Sequence, residues 1–176
     1  MSPEHDREPV RLYADDPPRD FDTLYRQEYR PLLRLAWTLT GRRDLAEELV
    51  QEAMLTAHQR WSSIAGYDAP GAYVRRVLLN AVTSAARRRG AERRALARIR
   101  TRSDVREDPP PDDQVWHAVR ALPTRQAQAV ALHYLEDRSV EEIASLLEIA
   151  EGTVKSHLHR GRLALAEALI AQDGER

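Results

Sequence analysis

The sequence predicts an all-α protein: two small helical domains joined by a proline-rich linker, the C-terminal one a four-helix helix-turn-helix domain. Three observations predict it. Apolar residues recur at helical spacing in several stretches, and no alternating run is long enough for a sheet. Residues 103–113 read SDVREDPPPDD, a polar segment whose consecutive prolines cannot continue a helix. Beyond it, Ser139 to Arg160 reads as a short helix, a tight turn and a second helix.

Residues 1–20 hold six acids, three arginines and four prolines with few apolar side chains, so a flexible acidic tail is expected. A first domain is expected over 21–95. Phe21, Leu24 and Tyr25 begin an apolar face, and Leu32, Leu33, Leu35, Ala36 and Leu39 extend it past Pro31, which is read as starting a new helix. Gly41 breaks the pattern. Asp44 is then a candidate N-cap with Glu47 as its capping-box partner, ahead of the stripe Leu45, Leu49, Ala53, Ala57. Gly66 to Gly71, with Pro70 inside, is a turn-rich break. The next helix carries Val74, Val77 or Leu78, Ala81 and Ala85, with Arg75, Arg76 and Arg87 to Arg89 as its charged complement; it is expected to fray through the arginine run. Trp37 and Trp116 are read as core side chains.

The linker is placed at 96–112 and the second domain at 113–172. Val115, Val119 and Leu122 mark its first helix, stopped at Pro123. Thr124 is a candidate cap for the second, with Ala127, Val130, Ala131 and Tyr134. Ser139 with Glu142 is a candidate capping box for the third, with Val140, Ile143, Ala144 and Leu147. The fourth carries Val154, Leu158, Gly161, Leu165 and Leu169. The turn between the last two falls around Glu148 to Glu151. The first residues of the final helix, Glu151, Gly152, Thr153, Lys155 and Ser156, would face a DNA major groove, with His159, Arg160 and Arg162 reaching phosphates or base edges.

Composition narrows the function classes. A chain of 176 residues without cysteine has no disulfides, thiolate zinc sites or cysteine nucleophile. No charge-free stretch is long enough to cross a bilayer, and the acidic N-terminus is unlike a signal peptide, so a cytoplasmic protein without membrane insertion is expected. Among the six histidines, His157 and His159 are too close in sequence to share a helix face, and no carboxylate–histidine set suggests a metal site. Without a phosphate-binding glycine loop either, neither an enzyme nor a cofactor is expected. The net charge of −1 conceals an uneven distribution: Arg87 to Arg102 holds eight arginines and one acid, Glu92. A phosphate backbone meets this local pattern rather than the average.

Residues 122–165, from Leu122–Pro123 through Arg125–Gln126 to Gly152–Thr153–Val154–Lys155–Ser156 and Arg160, resemble the C-terminal domain of bacterial RNA polymerase sigma factors of the extracytoplasmic-function (ECF) class. That resemblance implies recognition of the minus-thirty-five element by Glu151, Gly152, Thr153, Lys155, Ser156, His159 and Arg160. LuxR-type regulators share a similar core, so an operator-binding regulator that is not a polymerase subunit is the alternative. The N-terminal half separates the two. Asp44, Ala46, Glu47, Glu48, Leu49, Val50, Gln51 and Glu52 resemble the acidic helix that docks on core polymerase, which implies docking roles for Asp44, Glu47, Glu48, Gln51 and Glu52. The plain alternative is a solvated helix face. Ala72–Tyr73–Val74–Arg75–Arg76–Val77 and Asn80 resemble the helix that engages the minus-ten element. Tyr73, Arg75, Arg76, Asn80, Arg87 and Arg88 are the implied contacts. Trp61 joins them as the first residue of the loop to Pro70, where such factors capture a flipped base, although it reads more readily as a core or loop-anchoring residue than as a direct stacking platform. The family commonly has tryptophan where Tyr73 stands and aspartate where Ser84 stands. The match is nearest the actinobacterial SigE-like subgroup. Implied partners are core RNA polymerase and promoter DNA, with an anti-sigma factor as a further candidate. The family's linkers thread toward the polymerase active-site channel, where acid over Glu107 to Asp113 could mimic nucleic acid; a mere spacer is the other reading.

Overall fold

A computed structural model describes residue 18 and residues 20–96 and 113–173. The expectations for the tail over 1–20 and for the linker over 96–112 lie outside the described residues, apart from residues 18, 20 and 96. Eight helices are described: α1 Phe21–Thr40, α2 Arg43–Gln59, α3 Trp61–Ile64, α4 Pro70–Leu96, α5 Asp113–Ala121, α6 Thr124–Tyr134, α7 Val140–Leu147 and α8 Glu151–Asp173. Among the described residues there is no strand, and no helix is long and apolar enough to cross a membrane.

The N-terminal half is built on α1, α2 and α4, which pack pairwise, with α3 against α2. Asp20 caps α1 by accepting the Thr23 N–H at 2.7 Å. Gly41 ends it at φ +67°, its N–H donating to the Trp37 carbonyl at 2.8 Å, a left-handed stop that glycine adopts without a Cβ clash. Contrary to the expectation from its residue type, Pro31 does not start a new helix; it sits exposed inside one continuous α1. Burial of Leu24, Leu32, Leu35 and Ala36 along the helix outweighs the one hydrogen bond that proline removes.

The α2 start also differs from expectation. The helix begins at Arg43 with Arg42 as a cap lacking a side-chain bond, so Asp44 and Glu47 do not form a capping box. Asp44 pairs with Arg42 instead, and Glu47 accepts from Arg43 Nε at 3.0 Å. Asp44 remains in the first turn, where the helix dipole favours a carboxylate. Pro70 occupies the first position of α4, where its missing N–H costs nothing. That helix does not fray at the arginine run but continues to Leu96.

The C-terminal half is α5 to α8. Thr124 is the first residue of α6 rather than its cap, which is Pro123. Ser139 and Glu142 do form a capping box: Ser139 Oγ accepts the Glu142 N–H at 3.1 Å, and Glu142 Oε2 accepts the Ser139 N–H at 2.7 Å. Ile143, Leu146, Leu147, Val154 and Leu158 form the buried seam between α7 and α8. Gly161 lets α8 meet α6, since a Cβ there would lie 2.5 Å from Val130 Cγ2. Trp37 and Trp116 are half-buried at the edge of the core.

The two halves pack against each other. Helix α1 meets α5 and α6, and α4 meets α6 and α7. The polar contacts there are specific. Gln128, fully buried, donates from Nε2 to the Leu79 carbonyl at 2.7 Å and to Thr83 Oγ1 at 3.0 Å. Arg34 Nη2 donates to the Leu135 carbonyl at 2.8 Å, and Arg120 Nη1 to the Thr38 carbonyl at 3.4 Å.

Candidate functional site

The structure separates three surfaces. The first is the outer face of α2. Its buried side carries Ala46, Leu49, Val50, Ala53, Met54 and Ala57 against the core. The helical period therefore turns Asp44, Glu48, Gln51 and Glu52 outward, and all four are exposed. Glu47 is half-buried beside them. Leu55, on the same face, is 57% exposed, an apolar side chain among carboxylates that the sequence reading passed over.

The second surface is α4 with the loop that precedes it. Tyr73 is half-buried, and its ring meets that of exposed Tyr67 edge-on, with centroids 6.4 Å apart. Tyr67 was also passed over; being aromatic and inside the turn-rich loop was its only signal. Trp61 is half-buried, edge-on to Phe21 at 6.0 Å, and so anchors α3 to the start of α1. Asn80, Arg87 and Arg88 are exposed.

Arg75 and Arg76 are held differently. The Arg75 side chain is 2% exposed, with Nη2 3.0 Å from Glu28 Oε2 and Nε 2.8 Å from Glu136 Oε2. Its Nη2 also donates to Glu136 Oε1 at 3.2 Å. Glu28 belongs to the N-terminal half and Glu136 to the C-terminal half, so this guanidinium spans the seam. Arg76 Nη1 is 3.0 Å from Glu148 Oε1 in a more exposed pair. In this arrangement Arg75 faces carboxylates rather than solvent. Neither Glu28 nor Glu136 could be paired with it from the sequence, because helical periodicity carries no information on which helices meet or in what register.

The third surface is the start of α8. Glu148 ends α7 in the left-handed region at φ 55°, and the Ile149 N–H donates to the Ala144 carbonyl at 3.1 Å. Three residues, Glu148, Ile149 and Ala150, then make the turn, and α8 starts at Glu151. Val154 and Leu158 point into the core, so Glu151, Gly152, Thr153, Lys155, Ser156, His159 and Arg160 are all exposed. Lys155 lies 3.7 Å from Glu151 Oε2, and Ser156 Oγ donates back to the Gly152 carbonyl at 2.9 Å. His157, half-buried among them, has its pKa lowered by burial first, then by Arg160 and Arg125. It therefore carries less charge than an ordinary histidine would at the same pH. Among the described residues, no cluster of His, Asp or Glu could hold a metal ion.

Two family models match the chain, one in each half. Residues 24–92 match the family described as Sigma-70 region 2, and residues 112–165 match Sigma-70, region 4. The RNA polymerase sigma-E factor of Streptomyces coelicolor is 34% identical over 162 residues, covering 88% of each chain. The ECF RNA polymerase sigma factor SigM of Mycobacterium tuberculosis is 32% identical over 169 residues, covering 94% of this chain and 86% of the relative. Among solved structures, the sigma factor RpoE of Bartonella quintana, in complex with the anti-sigma factor NepR, superposes with a TM-score of 0.70 at 26% identity. That match covers 86% of this chain and 98% of RpoE. With both conserved regions present in order, this chain belongs to the ECF class of bacterial RNA polymerase sigma factors, near the actinobacterial SigE and SigM group.

Proposed function

We propose that the chain works as a sigma subunit through three separate faces, each with one task. The exposed α2 face, Asp44, Glu48, Gln51 and Glu52 with Glu47 beside it, docks on core RNA polymerase, where acid complements a basic surface and sets orientation. The start of α8 reads the minus-thirty-five element: Thr153 and Ser156 supply short polar arms, and Lys155, His159 and Arg160 supply longer ones. Helix α4 engages the minus-ten element through Tyr73, Asn80, Arg87 and Arg88, with Arg75 and Arg76 once they are released from their carboxylates. Tyr67 and Tyr73 assist melting by offering stacking surfaces to an unpaired base, while Trp61 holds the loop in place.

A sigma factor directs polymerase to promoters without altering a covalent bond, so no catalytic residue is assigned. The single observation that carries the proposal is the N-terminal match to Sigma-70 region 2 over residues 24–92. A regulator of the LuxR type would need the C-terminal helix-turn-helix alone. The likeness to RpoE in its NepR complex extends over nearly all of that chain, and it supports an anti-sigma factor as a partner of this chain too.

Run-off transcription with purified core polymerase tests the function. Promoter-specific transcripts that depend on adding the protein are expected. DNA binding with no effect on core polymerase would overturn the proposal.

A further inference from the structure

Helix α1 carries two rows of side chains that the three proposed faces leave without a task. Phe21, Tyr25 and Tyr29 recur every four residues, and so do Arg26, Arg30 and Arg34. A helix brings residues four apart onto one face and spaces them by about 6 Å along its axis. The first row is an aromatic ladder. The Tyr25 and Tyr29 rings stack with centroids 5.0 Å apart and 20° between their planes, and the Phe21 ring lies 6.3 Å from that of Tyr25. Tyr25 is 41% exposed. The second row is basic. All three arginines are exposed, and Asp22 is the single exposed acid of this helix. Arg34 is tied to the Leu135 carbonyl, and Arg26 Nε donates to the Asp22 carbonyl at 3.2 Å, which folds it back over the first turn. Arg26 and Arg30 therefore flank the tyrosines.

The ladder continues into the proposed minus-ten surface. Phe21 meets His58 edge-on at 4.8 Å and Trp61 at 6.0 Å, and Trp61 opens the segment that leads to the Tyr67–Tyr73 pair. Aromatic rings beside arginines suit single-stranded nucleic acid, because bases stack on the rings while cations follow the phosphates. Charge argues against a protein partner on this face. A basic polymerase surface that complements the exposed acids of α2 would be repelled by Arg26 and Arg30. We propose that Tyr25, Tyr29, Arg26 and Arg30 form a second single-strand track, which carries unpaired promoter DNA onward from the minus-ten element, past Trp61 and Phe21 and along α1. Every base has a π-face, so the track holds the strand open without reading its sequence. The proposal rests on the placement of the minus-ten contacts on α4 and the loop before it.

Holoenzyme reconstituted from core polymerase and the full-length chain tests this, with a single-stranded minus-ten oligonucleotide and the same oligonucleotide extended on its 5′ or its 3′ side. The parent is expected to bind one extended form about tenfold more tightly than the short one, the gain of one stacked base. Tyr25→Leu should abolish that gain and leave affinity for the short oligonucleotide unchanged. Arg26→Ala and Arg30→Ala should each lower the salt slope for the extended form by about 0.7. No gain in the parent, or a gain that survives Tyr25→Leu, overturns the track. Equal loss on the short and extended forms would put Tyr25 on the minus-ten element itself and overturn a second track. Photocrosslinking identifies the partner. A photoreactive phenylalanine in place of Tyr25 is expected to capture promoter DNA outside the minus-ten element, and capture of a polymerase subunit alone overturns the proposal. The same substitution at Tyr67 checks the underlying assignment separately. DNA captured from position 25 but not from position 67 keeps the track on α1 and overturns the placement of minus-ten contacts on the loop.

Discussion

Two carboxylates enclose the Arg75 guanidinium at 3.0 and 2.8 Å, and all three side chains are nearly closed to water. Removing the cation would leave Glu28 and Glu136 facing each other without compensation. Arg75→Ala is therefore expected to cost about 3–5 kcal/mol in denaturant unfolding. Arg88→Ala, on an exposed side chain of the same helix, should change stability by less than about 0.5 kcal/mol. If Arg88 contacts a phosphate, its loss should instead lower the salt slope of promoter binding by the assembled polymerase by about 0.9. An unchanged slope would remove Arg88 from the DNA. The sequence shows that both residues are arginines on one helix; it does not show which one meets Glu136, a residue 61 positions away. His157 gives a pH signature at this scale. Its lowered pKa means that the unfolded chain takes up a proton before the folded one. Stability is unaffected well above the ordinary value of 6.5 and declines as the pH falls below it, until the folded form is protonated too. A proton NMR titration should place His157 below 6.5. Arg125→Ala should move it only part of the way back, because burial is the larger cause.

Helices show where local rules suffice and where packing overrides them. The Ser139–Glu142 box was legible because its residues, spacing and apolar run all coincide, and the structure contains both reciprocal bonds. Ser139→Ala should lower stability by about 1 kcal/mol in thermal unfolding. The same spacing at Asp44 and Glu47 misled, because Arg42 and Arg43 compete for the two carboxylates and the helix starts two residues earlier. Pro31 misled for another reason: a proline on the exposed side of a long, well-packed helix breaks one bond without ending the helix. The α2 face was legible in its charges but not in its one apolar member. Leu55 stands 57% exposed on the proposed docking face, and apolar anchors among polar neighbours often carry an interface. Leu55→Ala should leave thermal unfolding nearly unchanged and weaken core polymerase binding in a titration. Undiminished affinity would take Leu55 out of the interface.

At the scale of the whole molecule, a proline-rich segment between two apolar patterns was enough to divide the chain in two, but how the halves meet could not be read. That packing depends on single contacts such as Gln128 against the α4 backbone, and a buried glutamine has no periodic signature. Seams with specific polar groups couple two cores tightly when every group is satisfied, and poorly once one is not. Gln128 is completely buried, and its two donor bonds both cross the seam. Gln128→Met keeps most of the volume and loses both bonds, leaving the apolar packing of each half intact. The parent protein should therefore unfold in a single calorimetric transition, while the Gln128→Met variant should show two, the lower one displaced from the parent midpoint. One sharp transition in both proteins would mean that apolar contacts between α1 and the α5–α6 pair couple the halves. Two transitions already present in the parent would mean that they are energetically independent, so that separating them to engage a promoter is opposed by little besides the ion pairs at Arg75 and Arg76.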